Sequence, residues 1–360
     1  MGLWTRIASM VAMMLAIHRA SSEPWTTAST GKIDLHSHYV PEFWREESIK
    51  AGYGEPDGIP GIPAWSEEAH LEFMSQANIT KSILSITSPG THLTPGNNTH
   101  ARRLTRQCNE FAADLKRRRP EEFGFWAALP LPDVEGSLAE LAYALDHLDA
   151  DGVAVFTNAH GVYLGDESLT PLFKELDRRR VTVFVHPTSP CIRGAHDHGL
   201  QPASPLAEFY PNPMFEYFFE SARAVTNLFL SGTTDTFPNI TYIISHAGGA
   251  LPPIIERFTQ FASSILGLPL EINSDSVKAA FARSFYFDLA GFVFPDQIYG
   301  LLRYVGARSI VYGSDYPYTP APGVLAIAGM INEHIDEAFP DPRDVQGIFA
   351  RNARRILDRV

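Results

Sequence analysis

The stretch Ile33-Asp34-Leu35-His36-Ser37-His38 carries an apolar run that ends in two imidazoles. An apolar run of this length reads as a buried strand. Residues two apart in an extended chain share a face, so His36 and His38 are expected on one side. Three later phrases repeat the arrangement: Val183-Phe184-Val185-His186, Ile243-Ile244-Ser245-His246 and Ile310-Val311-Tyr312-Gly313-Ser314-Asp315. Each ends on a side chain able to bind a metal. A polar group just past the C-terminal end of a strand is where barrel enzymes keep their chemistry.

From residue 32 onward, strand-like and helix-like segments alternate. Candidate strands cover 32–38, 79–87, 124–130, 152–157, 181–187, 240–246, 285–291 and 309–317. Most are continuous Val/Ile/Leu/Phe runs, as expected of parallel strands covered on both faces. A helix starts after Ser66, a capping residue followed by Glu67 and Glu68. Others are expected near 100–119, 136–148, 168–180 and 253–266. Eight strands interleaved with helices predict a single α/β domain over 31–360, a (β/α)8 TIM-type barrel. An open doubly wound sheet is the alternative, but no GxGxxG opens a helix. Two insertions break the rhythm, 39–65 and 188–213, the second carrying Arg193, His196 and His198. Long loops on the C-terminal face of a barrel shape its pocket.

The chain has 360 residues, 45% of them hydrophobic, enough for one large core. A formal net charge of −12 argues against a nucleic-acid partner and gives no basic patch for a membrane surface. Cys108 and Cys191 form no CxxC and read as free thiols. Residues 1–22 read as a signal peptide or leader: Arg6, an apolar run over 7–17, then Ala20-Ser21-Ser22. A signal implies a secretory, extracellular or vacuolar destination, and a plain leader a cytoplasmic one. Sequons at Asn78, Asn97 and Asn239 fit the first route. The apolar leader is too short to span a bilayer comfortably, and no later segment could span one.

Two neutral imidazoles suit a zinc-like ion, and a third histidine with a carboxylate completes a four-donor set. His36, His38, His186 and Asp315 are the candidates. Asp34 is expected deeper on the same face of its strand, as a polar support. His246 precedes Ala247-Gly248-Gly249-Ala250, where small residues allow close approach. His196 and His198 lack strand context and read as solvated or pocket-lining. His92, His100, His147 and His160 have no partner visible in the sequence. Phe43 and Trp44 after the first strand, and Phe292 and Phe294 after the seventh, are candidate aromatic walls for a substrate ring.

Taken together, His36-Ser37-His38, Phe184-Val185-His186-Pro187, Ser245-His246-Ala247-Gly248-Gly249 and Gly313-Ser314-Asp315-Tyr316-Pro317 resemble the amidohydrolase superfamily. The likeness is to the branch of aminocarboxymuconate semialdehyde and aromatic-acid decarboxylases, and it runs over 32–358. Within that branch the chain is most similar to fungal 6-methylsalicylate decarboxylases, which form m-cresol in polyketide secondary metabolism. The resemblance implies a carboxy-lyase with one divalent metal, Zn2+ or alternatively Mn2+, on His36, His38, His186 and Asp315, and no organic cofactor. It assigns His246 to acid/base work and to polarising a carbonyl beside the metal. Proton delivery falls to Asp315 or His246, an alternative that stays open. A small aromatic carboxylic acid is the implied substrate and a homodimer the implied assembly.

Two departures sharpen this expectation. Binuclear relatives carry a carboxylated lysine at the end of strand four, whereas this chain reads Val155-Phe156-Thr157-Asn158, so one ion is expected. The semialdehyde decarboxylases hold a substrate carboxylate with an arginine in the first insertion. Here Arg45 is the only arginine in that insertion, which favours a monocarboxylic acid. The competing functional readings are a metal-dependent hydrolase of an amide, ester or lactone, and a metal-binding protein without catalysis.

Overall fold

Eight parallel strands follow one another around a sheet in chain order: β1 (Lys32–His38), β2 (Ile79–Ser85), β3 (Phe123–Ala128), β4 (Gly152–Phe156), β5 (Thr182–His186), β6 (Thr241–Ile244), β7 (Phe285–Asp288) and β8 (Ile310–Val311). The computed structural model describes residues 31–193, 200–204, 206–207, 209–267 and 272–358. The sheet closes through the chain that follows β8. Leu35 N donates to Tyr312 O at 3.1 Å, Asp315 N to His36 O at 2.8 Å and His38 N to Tyr316 O at 2.7 Å. The result is the expected (β/α)8 barrel.

Helices cover the outside, among them Glu67–Ala77, Asn98–Arg118, Val134–His147, Thr170–Arg179, Glu216–Leu230 and Ser274–Ser284. Ser66 caps the first of these by accepting from Ala69 N at 3.1 Å, as its sequence predicts. Inside the barrel, Ile33, Leu35, Ile83, Trp126, Ala154, Phe184, Ile243, Tyr286 and Val311 form one cluster, closed below by Ala353 and Ile356. Every barrel strand contributes to this cluster, so the lumen is packed rather than open. A second, larger cluster lies between strands and helices.

Seven of the eight strands stop short of their expected ends, and in three the local backbone shows why. β6 ends at Ile244, two residues before His246, because His246 and Ala247 adopt φ values of 55° and 54°. β8 is only two residues long, and Asp315 beyond it has φ 60°. β7 ends at Asp288, whose carboxylate accepts Ala290 N where a ladder bond would otherwise continue. In β1, pairing with β2 is irregular between Asp34 and Ser37. Asp34 there accepts His36 N at 3.1 Å as well as Ser314 N and Ser314 Oγ–H, the polar support expected of it.

Cys108 and Cys191 are free, as expected. Asn78, Asn97 and Asn239 are exposed. No helix among the described residues is long and apolar enough to cross a membrane. The leader 1–22 and the loop histidines His196 and His198 lie outside the described residues.

Candidate metal centre

His36 and His38 at the end of β1, His186 at the end of β5 and Asp315 beyond β8 meet at the mouth of the barrel. One donor atom from each lies within 4.8 Å of all the others. The three imidazole centroids are 5.0–5.1 Å apart, with the rings almost perpendicular.

What faces the centre is decided by what each ring does behind it. His36 Nδ1–H donates to Asp288 Oδ2 at 2.8 Å, His38 Nδ1–H to Ser85 O at 3.2 Å, and His186 Nδ1–H to Pro187 O at 2.6 Å. With Nδ1 protonated, each Nε2 is left with a lone pair. His38 Nε2 and His36 Nε2 then stand 3.1 Å and 3.4 Å from Asp315 Oδ1. Lone pairs facing a carboxylate repel unless a cation lies between them. His36 Nε2 is also buried with no hydrogen-bond partner. Three imidazole nitrogens and one carboxylate oxygen therefore fit a single divalent ion.

The electrostatics agree. Burial opposes a charge on His36, yet Asp288 and then Asp315 lift its pKa to about 10. Burial pulls His38 down and His186 well below the usual histidine range. Burial would raise Asp315, but the surrounding imidazoles of His246, His36 and His38 hold it well below the usual carboxylate range. The site demands a positive charge near His36 Nε2, whether a proton or a metal supplies it.

His246 joins the cluster without belonging to the donor quartet. Its Nε2 is 3.9 Å from Asp315 Oδ2, and its ring centroid is 5.0 Å from that of His36. Phe218 stacks on it at 6.0 Å. Its main-chain N–H donates to Asp288 Oδ1 at 2.8 Å, and Gln297 Nε2 donates to its carbonyl at 2.8 Å. The left-handed turn continues through Gly248 and Gly249. A Cβ on Gly249 would lie 2.6 Å from Phe218 O, so glycine is needed there for space as well as for φ.

A cavity of about 500 Å³ opens above the cluster, with His186, His246 and Asp315 at its floor. Asp57, Thr87, Ser88, Tyr217 and Tyr318 add polar groups, and Ile59, Met214, Phe218 and Phe292 add apolar wall. Tyr318 Oη is buried and unpartnered. No lysine or arginine lines the cavity among the described residues.

Of the four aromatic residues expected at the wall, Phe292 lies there. The other three do not. The first insertion folds into a helix, Glu42–Lys50, which turns Trp44 into the core, fully buried with its indole N–H donating to Gly90 O at 2.8 Å. Phe43 packs edge-on against Phe111, and Phe294 is buried in the outer core. Arg45 pairs with Glu42 at the surface, away from the cavity. Three of the four histidines without visible partners acquire hydrogen bonds, His92 with His160 and Asn98 and His100 with Glu47, while His147 packs its ring against Tyr143.

Sequence reasoning missed Asp57, Tyr217, Tyr318 and Asp288. Asp288 carried the usable signal, since Phe285-Tyr286-Phe287-Asp288 is an apolar run ending in a carboxylate like those quoted first.

The amidohydrolase family model matches residues 33–359. The chain is 35% identical over 321 residues to the 6-methylsalicylic acid decarboxylase of Penicillium expansum, covering 88% of this chain and 92% of that one. Among solved structures it superposes on an amidohydrolase II with TM-score 0.78 and 32% identity, over 91% of this chain and 99% of that chain. The fold also matches a dihydroxybenzoic acid decarboxylase from Polaromonas, solved with bound manganese and 2-nitroresorcinol, at TM-score 0.73 and 20% identity, over 91% and 97% of the two chains. A family match across nearly the whole chain, on a barrel with this donor set at its mouth, places the protein in the amidohydrolase family.

Proposed function

We propose that this amidohydrolase is a metal-dependent, non-oxidative decarboxylase of a small aromatic hydroxy acid, 6-methylsalicylate, which it converts to m-cresol and CO2 as a step in polyketide metabolism. The observation that carries the reading is His246, held beside the His36/His38/His186/Asp315 quartet but outside it. A site that only stored a metal, or only bound one, has no use for a further imidazole fixed at two main-chain points. The likeness to the Penicillium enzyme supports the substrate.

When bound, the ion supplies positive charge that holds the acid's carboxylate and phenolic oxygens and stabilises negative charge developing on them. The remaining work falls to the chain. Loss of CO2 requires a proton at the ring carbon that carried the carboxylate, and that step breaks aromaticity. Asp315 is held ionised and delivers a proton only when replenished. His246 Nε2, 3.9 Å from Asp315 Oδ2, stands where it replenishes it or delivers directly. Phe292, Phe218 and Ile59 offer the ring an apolar wall. The lack of a lysine or arginine among the described residues of the wall matches an acid with one carboxylate.

Zinc is the ion we propose for this donor set, with manganese the alternative. We further propose that residues 1–22 are a secretory leader, that Asn78, Asn97 and Asn239 are its glycosylation acceptors, and that the protein works as a homodimer.

The deciding assay incubates the protein with 6-methylsalicylate and related hydroxybenzoates without O2, before and after chelation, measuring CO2 and m-cresol. Ion-dependent release of both is the expected result. If no acid is decarboxylated while a lactone or amide is opened, the protein is a hydrolase instead.

A further inference from the structure

Among the described residues, Asp57 is the one carboxylate of the cavity wall that has no part in the metal cluster. It sits in the turn Pro56–Gly58 at φ 55°, a conformation rare for a residue other than glycine. Its side chain faces the substrate cavity on one side and a neighbouring cavity of about 400 Å³ on the other. Among the described residues, no lysine or arginine lines either space.

The hydrogen bonds around Asp57 fix its charge. Tyr217 Oη–H donates to Oδ2 at 2.6 Å. Asn212 Nδ2 donates to Ser189 Oγ at 2.5 Å, which leaves the Ser189 proton for Asp57 Oδ1. The carboxylate thus receives only donors, the pattern of an ionised group. Three separate segments meet to hold it: the insertion after β1, the insertion after β5, and the helix Glu216–Leu230. Tyr217 in turn packs edge-on against His186 at 5.9 Å, which ties the arrangement to the metal cluster.

We propose that Asp57 is a specificity-determining residue, a fixed negative charge that admits aromatic acids with a single carboxylate and rejects those with a second. The inference rests on the decarboxylase reading for the class of substrate. A cavity of this volume is roughly 10 Å across, close to the screening length of about 8 Å at physiological ionic strength. A second carboxylate on a ring bound inside the cavity is partly buried with Asp57, and such pairs are screened much less than exposed ones. The ion and the imidazoles compensate the first carboxylate, and no lysine or arginine among the described residues of the wall compensates another. Rejection by an unpaired like charge is a common means of discrimination.

The test uses a matched pair of salicylates with the same shape, one bearing a neutral carbamoyl group and one a carboxylate at the 5-position. Binding to the ion-loaded protein is measured by calorimetry, alongside turnover of 6-methylsalicylate. The wild type is expected to bind the carbamoyl compound at least tenfold more tightly. Asp57→Asn should shrink that gap by about tenfold or more, with Asp57→Ser as a second variant should the first misfold. Tyr217→Phe removes a hydrogen bond but keeps the charge, and should leave the gap in place. A gap unchanged in both Asp57 variants overturns the proposal, as does a gap that closes equally in Tyr217→Phe. Failure of the wild type to decarboxylate 6-methylsalicylate would sink the functional reading instead, since the binding gap is read without turnover.

Discussion

Asp288 Oδ1 accepts the main-chain N–H of His246 at 2.8 Å, and the same carboxylate takes His36 Nδ1–H on its other oxygen, also at 2.8 Å. One side chain at the end of β7 therefore sets both the orientation of a metal donor and the position of the imidazole proposed for proton transfer. Asp288→Asn cannot accept on both sides. We expect ion affinity to fall by about 10–100-fold, as for other partners of metal-bound histidines, with a loss of turnover beyond what added metal restores. Competition with a chelator measures the first, and rates at saturating metal the second. An unchanged ion affinity would show that Asp288 does not orient His36.

His246→Asn separates binding the ion from using it. The variant should retain metal at the wild-type stoichiometry, read by atomic absorption, because His246 is outside the quartet. Turnover should drop by about 10²–10⁴-fold, the range typical of a lost acid/base group. Loss of the metal together with activity would place His246 among the ligands.

Removing a quartet member should have the opposite signature. His186→Ala takes one of four donors from a buried site, and the protein should come off the column with little metal and no turnover. Reconstituting the chelated wild type with zinc and, separately, with manganese identifies the ion by which one restores the rate.

The buried His70 gives a pH dependence of stability. It accepts Trp65 Nε1–H at Nδ1 and lies 3.4 Å from Ser37 Oγ. Burial first, and the neighbouring His38 second, lower its pKa from 6.5 to about 3. The folded protein thus resists a proton that the unfolded chain accepts. The contribution is fully present above pH 6.5 and is lost progressively as pH falls toward 3. Between pH 7.5 and 5 this one group should cost about 2 kcal/mol. Urea titrations at both pH values should show a smaller loss in His70→Gln than in the wild type. Equal losses would mean that His70 is not the group responsible.

Trp44 and Phe292 were alike as sequence, two aromatics on C-terminal-side loops, and should behave oppositely as mutants. Trp44→Ala empties a fully buried site and should cost about 3–5 kcal/mol of stability. Phe292 is 72% exposed at the cavity mouth. Phe292→Ala should leave the melting temperature nearly unchanged while raising KM for the aromatic acid.

The difference between those two residues shows where the sequence was legible. The strands were readable because parallel strands buried on both faces must be apolar throughout. The quartet was readable because a barrel brings every strand's C-terminal end to one rim. The ends of β6 and β8 were not, since the positive φ of His246 and Asp315 leaves no trace in hydrophobic periodicity. Gly313 is a partial exception: a Cβ there would lie 2.7 Å from His36 Cβ, so a glycine before a metal-binding aspartate hints at close approach. The fate of Trp44 was partly encoded, for Trp44 and Ser48 are both buried and lie four apart on the helix Glu42–Lys50. Asp57 and Tyr217 are 160 positions apart and meet only because the insertion after β1 folds against the helix Glu216–Leu230. Nothing local marks either.

The barrel closes where β1 meets the chain beyond β8, and that seam has a consequence for how the protein is made. His38 and Asp315 are separated by 277 positions along the chain and by 3.1 Å in space. A nascent chain on the ribosome presents two imidazoles early, but the carboxylate that completes the set arrives only after all eight strands have been synthesised. Copies that stall before Asp315 cannot capture the ion in the finished geometry. The four donors therefore come together only when that seam closes.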